Sequence, residues 1–143
     1  MESKTDIEAF SVDDKKEVLD LLKEAELPIE DLTVEKMKNF MVARCKDSSV
    51  VGVVGVEIYQ GSGLLRSLVV HPSYRGKGLG SQLTRKIESH AWHRGIKTLY
   101  LLTMTAADFF PKIGYDVTQR NAVPESIAKT EEFKNVCPAS AVC

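Results

Sequence analysis

The stretch from Leu64 to Leu102 constrains the fold more than any other part of this sequence. An apolar run, Leu64-Leu65-Arg66-Ser67-Leu68-Val69-Val70, leads into the glycine-rich segment Arg75-Gly76-Lys77-Gly78-Leu79-Gly80. Leu79, Leu83, Ile87 and Ala91 then recur at helical spacing, Gly95 closes that helix, and a second apolar run covers Lys97–Leu102. Strand, loop, helix and strand in that order make a βαβ unit, with parallel strands and a right-handed crossover. The first strand is apolar at nearly every position, as expected where both faces of a sheet are covered, so it is placed centrally. With 143 residues there is room for one core, and one domain over residues 1–143 is expected.

The elements around this unit point to antiparallel pairing. Thr5–Phe10 can form a strand, and Ser11-Val12-Asp13-Asp14 supplies a cap and an acidic first turn for a helix bearing Val18, Leu21, Leu22 and Ala25. A weaker helical stretch lies within Ile29–Lys38, starting near Asp31 or Thr33. Phe40–Cys45 and Val50–Tyr59 read as a hairpin, and Gln60-Gly61-Ser62-Gly63 as the next turn. Thr105-Ala106-Ala107-Asp108 has the form of a capping box before a short helix limited by Pro111, Tyr115–Arg120 reads as a strand, and Ala139–Cys143 is a poorer strand candidate. The fold class is therefore α/β with a mixed sheet, mostly antiparallel around a central parallel βαβ unit.

Charge and composition exclude several functions. Nineteen basic and 20 acidic residues give a net charge of -1, which argues against a chain whose main task is to neutralise a nucleic-acid backbone. No run approaches the roughly 20 apolar residues of a membrane helix, and Met1–Asp6 has no apolar signal core, so a cytoplasmic location with no membrane partner is expected. Cys45, Cys137 and Cys143 follow no metal-ligand spacing and are read as reduced thiols; His71, His90 and His93 suggest no third ligand, so no metal is expected.

The glycine segment is the chemical centre of the sequence. Gly76, Gly78 and Gly80 let several backbone N–H groups converge at a helix N-terminus, and Arg75 and Lys77 add full charges, an arrangement suited to a diphosphate. GxG alone is more often a turn for tight helix packing; the flanking cations and the strand–helix setting reverse that balance in favour of the anion. The residue after Gly76-Lys77 is Gly78, so the hydroxyl that a P-loop gives its metal is missing, and the GxGxG spacing after hairpins is not that of a dinucleotide fold.

Leu68–Gly80 matches the pattern V-x-P-x-x-[RQ]-x-x-G-x-[GA], and Ala106–Tyr115 is similar to A-x-x-F-Y-x-K-x-G-F. On these two motifs the sequence resembles the GNAT superfamily of acyl-CoA-dependent N-acyltransferases. Leu102–Ala106 with Phe109-Phe110 looks like the amino-acid N-acetyltransferases, and Gly63–Ser67 with Cys137–Ala141 resembles the small N-acetyltransferases of bacterial arsenic-resistance operons. The resemblance implies acetyl-CoA as co-substrate, with its pantetheine on the backbone of Leu68, Val69 and Val70. Its diphosphate would lie on Arg75, Gly76, Lys77, Gly78, Leu79, Gly80 and Ser81, with Thr103 and Phe110 completing the cofactor site. Superfamily members often dimerise through late strands, so a homodimer is one expected assembly.

Two usual groups of the family are replaced. Its frequent strand glutamate aligns with Leu64, and its frequent tyrosine acid aligns with Phe110. An alkylammonium must lose a proton before it attacks a thioester, and Glu57 on the preceding strand is the nearest acid that could accept it. A turn centred near Gly61 and Ser62 would set Glu57 opposite Arg66. One reading is an ion pair on a solvated face; the other gives Glu57 as base and Arg66 with Ser67 as the site for a carboxylate-bearing acceptor. The expected function is acetylation of a small amino-acid-like amine, in arsenic resistance or detoxification; the alternatives are an inactive acyl-CoA sensor and a protein N-acetyltransferase.

Overall fold

The computed structural model describes residues 5–27, 29–59, 61–101, 109–116 and 124–128. Its framework is one five-stranded mixed sheet in the order β1 (Asp6–Ala9), β2 (Phe40–Arg44), β3 (Val50–Tyr59), β4 (Ser62–Val70) and β5 (Thr98–Tyr100). β1 to β4 pair antiparallel, and β4 pairs with β5 in parallel, the two joined by α3 (Leu79–His93) as the βαβ reading requires. The central strand among those described is β3, not β4: β4 lies fourth, because the two hairpins precede it and only β5 follows on its other side.

Two apolar layers cover the sheet. α1 (Lys15–Glu24) follows a 3-10 turn in which the Ser11 backbone N–H donates to Asp14 Oδ2 at 2.9 Å. It packs Val18, Leu21 and Leu22 against Phe40, Val42, Val53 and Val69, together with Met37 of α2 (Val34–Met37). The other face carries α3, whose Leu79, Leu83 and Ile87 meet Ala43, Val54, Val56 and Leu65. β4 contributes to both layers, in keeping with its apolar sequence. Gly55 allows the Phe40 ring to lie flat on β3: a Cβ there would stand 2.1 Å from Phe40 Cε1.

Several boundaries differ from the sequence expectation. The second helix shrinks to one turn because Thr33 caps it, its Oγ1 accepting from Lys36 N at 3.2 Å. β4 begins at Ser62 because Tyr59 pairs with Ser62, closing the hairpin one residue earlier. α4 (Phe109–Lys112) tolerates Pro111 near its start; Tyr115 and Asp116 are not strand. α5 (Glu125–Ala128) follows Pro124, a helix-opening signal that the sequence reading missed. The 105–108 capping box, positions 117–120 and the 139–143 strand candidate lie outside the described residues. Among the described residues no helix is long and apolar enough to cross a membrane.

Candidate functional site

β4 and β5 share only three register pairs, Ser62 with Thr98, Gly63 with Leu99 and Leu64 with Tyr100. Beyond Leu64, β4 runs on to Val70 with β3 as its only strand partner among the described residues. Within this unpaired length the β3–β4 register shifts, so that Ser67 and Leu68 face Val54 alone, and Ser67 adopts φ 61°. A bulge of this kind sharpens the local twist and turns the strand away from its neighbour. A non-glycine residue in the left-handed region costs of order 1–3 kcal/mol, which the packed surroundings must sustain. Among the described residues the β5 side of Leu68–Val70 has no strand partner, and its amide groups suit a chain with its own amide donors and acceptors.

This edge of β4 leads to the glycine loop. After the 3-10 turn at Pro72–Tyr74, Gly76 and Gly78 take φ 79° and 80°, a conformation in which side-chain-bearing residues are strained. Among the described residues a Cβ at either would meet nothing within 4 Å, so the loop is open there. Gly78 is the N-cap of α3 and offers no side chain to satisfy the first N–H groups of the helix, those of Leu79, Gly80 and Ser81. These donors and the helix dipole favour an anion. Arg75 is exposed and donates from Nε to Val70 O at 2.9 Å, tying the loop to β4, and Lys77 Nζ lies 5.7 Å from the Tyr74 ring centroid. Gly80 differs from the other two: its φ is not positive, and a Cβ there would touch Phe109 Cζ at 3.5 Å, an ordinary contact.

Phe110 is 6% exposed in the α3-side core, edge-on to Phe109 and Tyr115. α4 turns Phe109 toward the loop and Phe110 inward. Tyr115 donates its hydroxyl to Glu88 at 2.7 Å, and burial together with Glu88 pushes the phenol above its ordinary range. Thr103 lies outside the described residues, as do Cys137 and Cys143. The histidines are held locally: His71 Nδ1 accepts from Ser73 N at 3.1 Å, and His90 and His93 meet Asn39 Oδ1 and Ser89 O at 3.2 and 2.7 Å.

The Glu57–Arg66 pair is real, but neither sequence reading describes it. With the hairpin closed at Tyr59–Ser62, Glu57 stands opposite Leu64 and Arg66 opposite Gly55, so the two side chains meet diagonally on one face. That face is not solvated: Glu57 is 6% and Arg66 2% exposed. Arg66 Nη1 donates to Glu57 Oε2 at 2.6 Å and to Asp31 Oδ2 at 2.6 Å, Nη2 donates to Asp31 Oδ1 at 2.9 Å, and Nε donates to Ser67 Oγ at 3.2 Å. The guanidinium is thus engaged by the protein's own carboxylates and is not placed to clamp an acceptor's carboxylate, nor does Ser67 face outward beside it. Asp31 comes from the loop before α2, 35 residues away, and no spacing in the sequence reveals it. Burial pushes the Asp31 carboxyl up, but the hydrogen bonds and charges of Arg66 and Lys36 outweigh it and hold the group below its ordinary value. At the other end of the array Tyr59 donates its hydroxyl to Glu57 Oε1. Burial first, then Glu57, pushes this phenol above its ordinary range. Strand alternation could have found Tyr59, two residues from Glu57 on the same face.

Leu64, where the family's glutamate would stand, is wholly buried with Ile127 of α5 against it, and Tyr59 and Tyr100 pack on this pair. The described residues thus set a buried carboxylate directly across β3 from that position.

The profile of the GNAT acetyltransferase domain matches residues 36–117, from α2 past α4. The chain belongs to this family. It is 37% identical over 73 residues to the amino-acid acetyltransferase of Pseudomonas syringae pv. tomato, covering 51% of this chain and 17% of that protein. An uncharacterised N-acetyltransferase of Chlorobaculum tepidum is 29% identical over 111 residues, 77% of this chain and 68% of that one. The chain therefore spans less than a fifth of the amino-acid acetyltransferase it matches. Solved structures share the fold. N-acetylglutamate synthase from Neisseria gonorrhoeae, complexed with coenzyme A and N-acetyl-glutamate, superposes with a TM-score of 0.82 at 18% identity over 99% of this chain and 34% of that one. A GNAT-family acetyltransferase from Staphylococcus aureus Mu50 gives 0.74 at 19% identity over 90% and 93%.

Proposed function

We propose that this chain transfers acetyl from acetyl-CoA to the amino group of a small amino-acid-like molecule. The observation that carries the reading is the open loop at Gly76–Ser81, continuous with the unpaired edge of β4. In it the N–H groups at the start of α3, with Arg75 and Lys77, would hold the coenzyme's diphosphate, and the Leu68–Val70 backbone would hold the pantetheine amides. The thioester would then arrive where β4 and β5 separate, near Leu64. Here the acceptor nitrogen attacks the acetyl carbon, the C–S bond breaks, and the coenzyme thiolate takes a proton from water; a thiol pKa of about 8.5 makes it a tolerable leaving group without a tyrosine acid.

The acceptor class follows the amino-acid acetyltransferases that the chain is similar to and the N-acetylglutamate synthase whose fold it shares. The likeness of Gly63–Ser67 together with Cys137–Ala141 to the arsenic-resistance enzymes suggests a role in arsenic resistance or detoxification. Calorimetry with coenzyme A and thiol release over a panel of amino acids, their analogues and peptides test the reading. Binding with turnover of free amino acids supports it. Binding without turnover on any amine would make the chain a sensor, and turnover on peptides alone would make it a protein N-acetyltransferase.

A further inference from the structure

We infer that the Tyr59 hydroxyl is a catalytic group that passes the acceptor's proton to Glu57, with Arg66 and Asp31 as positioning residues. The inference rests on the acetyl-transfer reading and identifies the proton path within it. Glu57 lies opposite Leu64, where β4 and β5 part, but it is buried: Oε2 takes Arg66 Nη1 at 2.6 Å, and Oε1 takes the Tyr59 hydroxyl. Burial beneath these donors screens the carboxylate from an amine at the surface.

Tyr59 is where the array comes to the surface. β3 is buried up to Glu57 and becomes half-buried at Ile58 and Tyr59. The Tyr59 ring packs with Leu64, Tyr100 and Ile127, and Leu64–Tyr100 is the last pair before β4 and β5 part. The phenol therefore stands where the two strands part, with its proton directed to Glu57 and an oxygen lone pair left to accept another. Burial, Glu57 and Asp31 keep it protonated at neutral pH, against the opposing charge of Arg66. Before attack, the ammonium's proton moves to Tyr59 Oη while the phenolic proton moves to Glu57 Oε1, leaving a neutral amine, an intact phenol and a neutral Glu57 that later releases its proton to water. The amine then forms the C–N bond, and its second proton passes to water as the departing thiolate takes one up. Arg66, held bidentately by Asp31, fixes the Glu57 carboxylate so that Oε1 faces the phenol.

The test is Tyr59→Phe in the whole chain, beside wild type, with two acceptor kinds: an alkyl amine protonated at pH 7, and a hydroxylamine-type acceptor that is already neutral. With the first, kcat should fall on the order of 100-fold at pH 7, the lower range for loss of general base catalysis, while the KM for acetyl-CoA stays within about twofold. The deficit should narrow as pH rises and be far smaller with the neutral acceptor. Glu57→Gln, which keeps the shape of the side chain, should reproduce this pattern. Wild-type kinetics in either variant, or an equal loss with both acceptors at every pH, would overturn the relay while leaving acetyl transfer intact. A wild-type chain that binds the coenzyme but releases no thiol with any amine would remove the transfer reading itself, and the relay with it.

Discussion

Replacing Arg66 by Ala tests whether the buried array is an ion network with a single cation at its centre. The side chain of Arg66 is 0% exposed, and those of Asp31 and Glu57 are 4% and 5% exposed, so water cannot take over its role. After the substitution Asp31 keeps Lys36 Nζ at 3.1 Å, whereas Glu57 keeps only the neutral Tyr59 hydroxyl among the partners described here. The cost therefore falls mainly on one stranded carboxylate. Breaking a buried pair from one side costs about 3–5 kcal/mol, and with a urea m-value near 2 kcal/mol/M the midpoint should move down by roughly 2 M. The sign of the pH dependence separates this from a simple cavity. Without Arg66 the Glu57 carboxylate is left buried with no cation beside it among the described residues, which is where the loss arises. In wild type the Asp31 carboxyl titrates below its ordinary 3.8, so its stabilisation is in place above about pH 4 and is lost as pH falls through the lowered value. In the variant Asp31 loses its main cationic partner, so this linkage weakens and the gap between the proteins shrinks as pH falls below about 4. Urea titrations at about pH 7 and about pH 3 should show the larger loss at the higher pH. A loss under about 1 kcal/mol at pH 7, or one that does not change with pH, would refute the network.

Two further substitutions probe the fold and the loop. Gly78→Glu should abolish detectable coenzyme A binding by calorimetry while the far-ultraviolet circular dichroism of the chain is kept, because a carboxylate at φ 80° would be strained and would face the diphosphate. Gly55→Ala should destabilise by about 1–3 kcal/mol in urea, since the new methyl would collide with the Phe40 ring; pairing it with Phe40→Leu should recover a good part of the loss.

The parts of this fold that were legible from sequence are those set by local periodicity. The hairpins, the glycine loop and α3 follow from apolar spacing and turn residues, and their placement agrees with the structure to within a few residues. Gly76 and Gly78 were readable as loop glycines because the requirement sits in the backbone itself: φ is positive at both, with nothing among the described residues in the space a side chain would enter. Which of Phe109 and Phe110 enters the core was not legible, because a motif fixes their order but not which ring α4 turns inward. Glu57 and Arg66 were found as a pair by strand parity, yet their register depended on where the turn closes. A one-residue difference there moved Glu57 from Arg66 to Leu64 without changing its face.

Asp31 shows why the chemistry of the array could not be derived in the same way. It lies in a short loop before a one-turn helix, and its contact with Arg66 exists only because α1 and α2 pack over the face of β3 and β4 that carries Glu57. That tertiary contact changes the meaning of every residue it touches. With Asp31 present, Arg66 is saturated from within and serves to aim a carboxylate; without it, the same arginine would present an unfilled guanidinium to the acceptor. Leu64 fits the first arrangement. An acid at position 64 would add a third buried carboxylate beside Asp31 and Glu57 around one arginine, and the repulsion of like charges in a low-dielectric setting would leave one of them protonated. The apolar packing of Leu64 against Ile127 and the buried Glu57 opposite it on β3 are therefore compatible, and the relay we infer would give that carboxylate its outward connection through Tyr59.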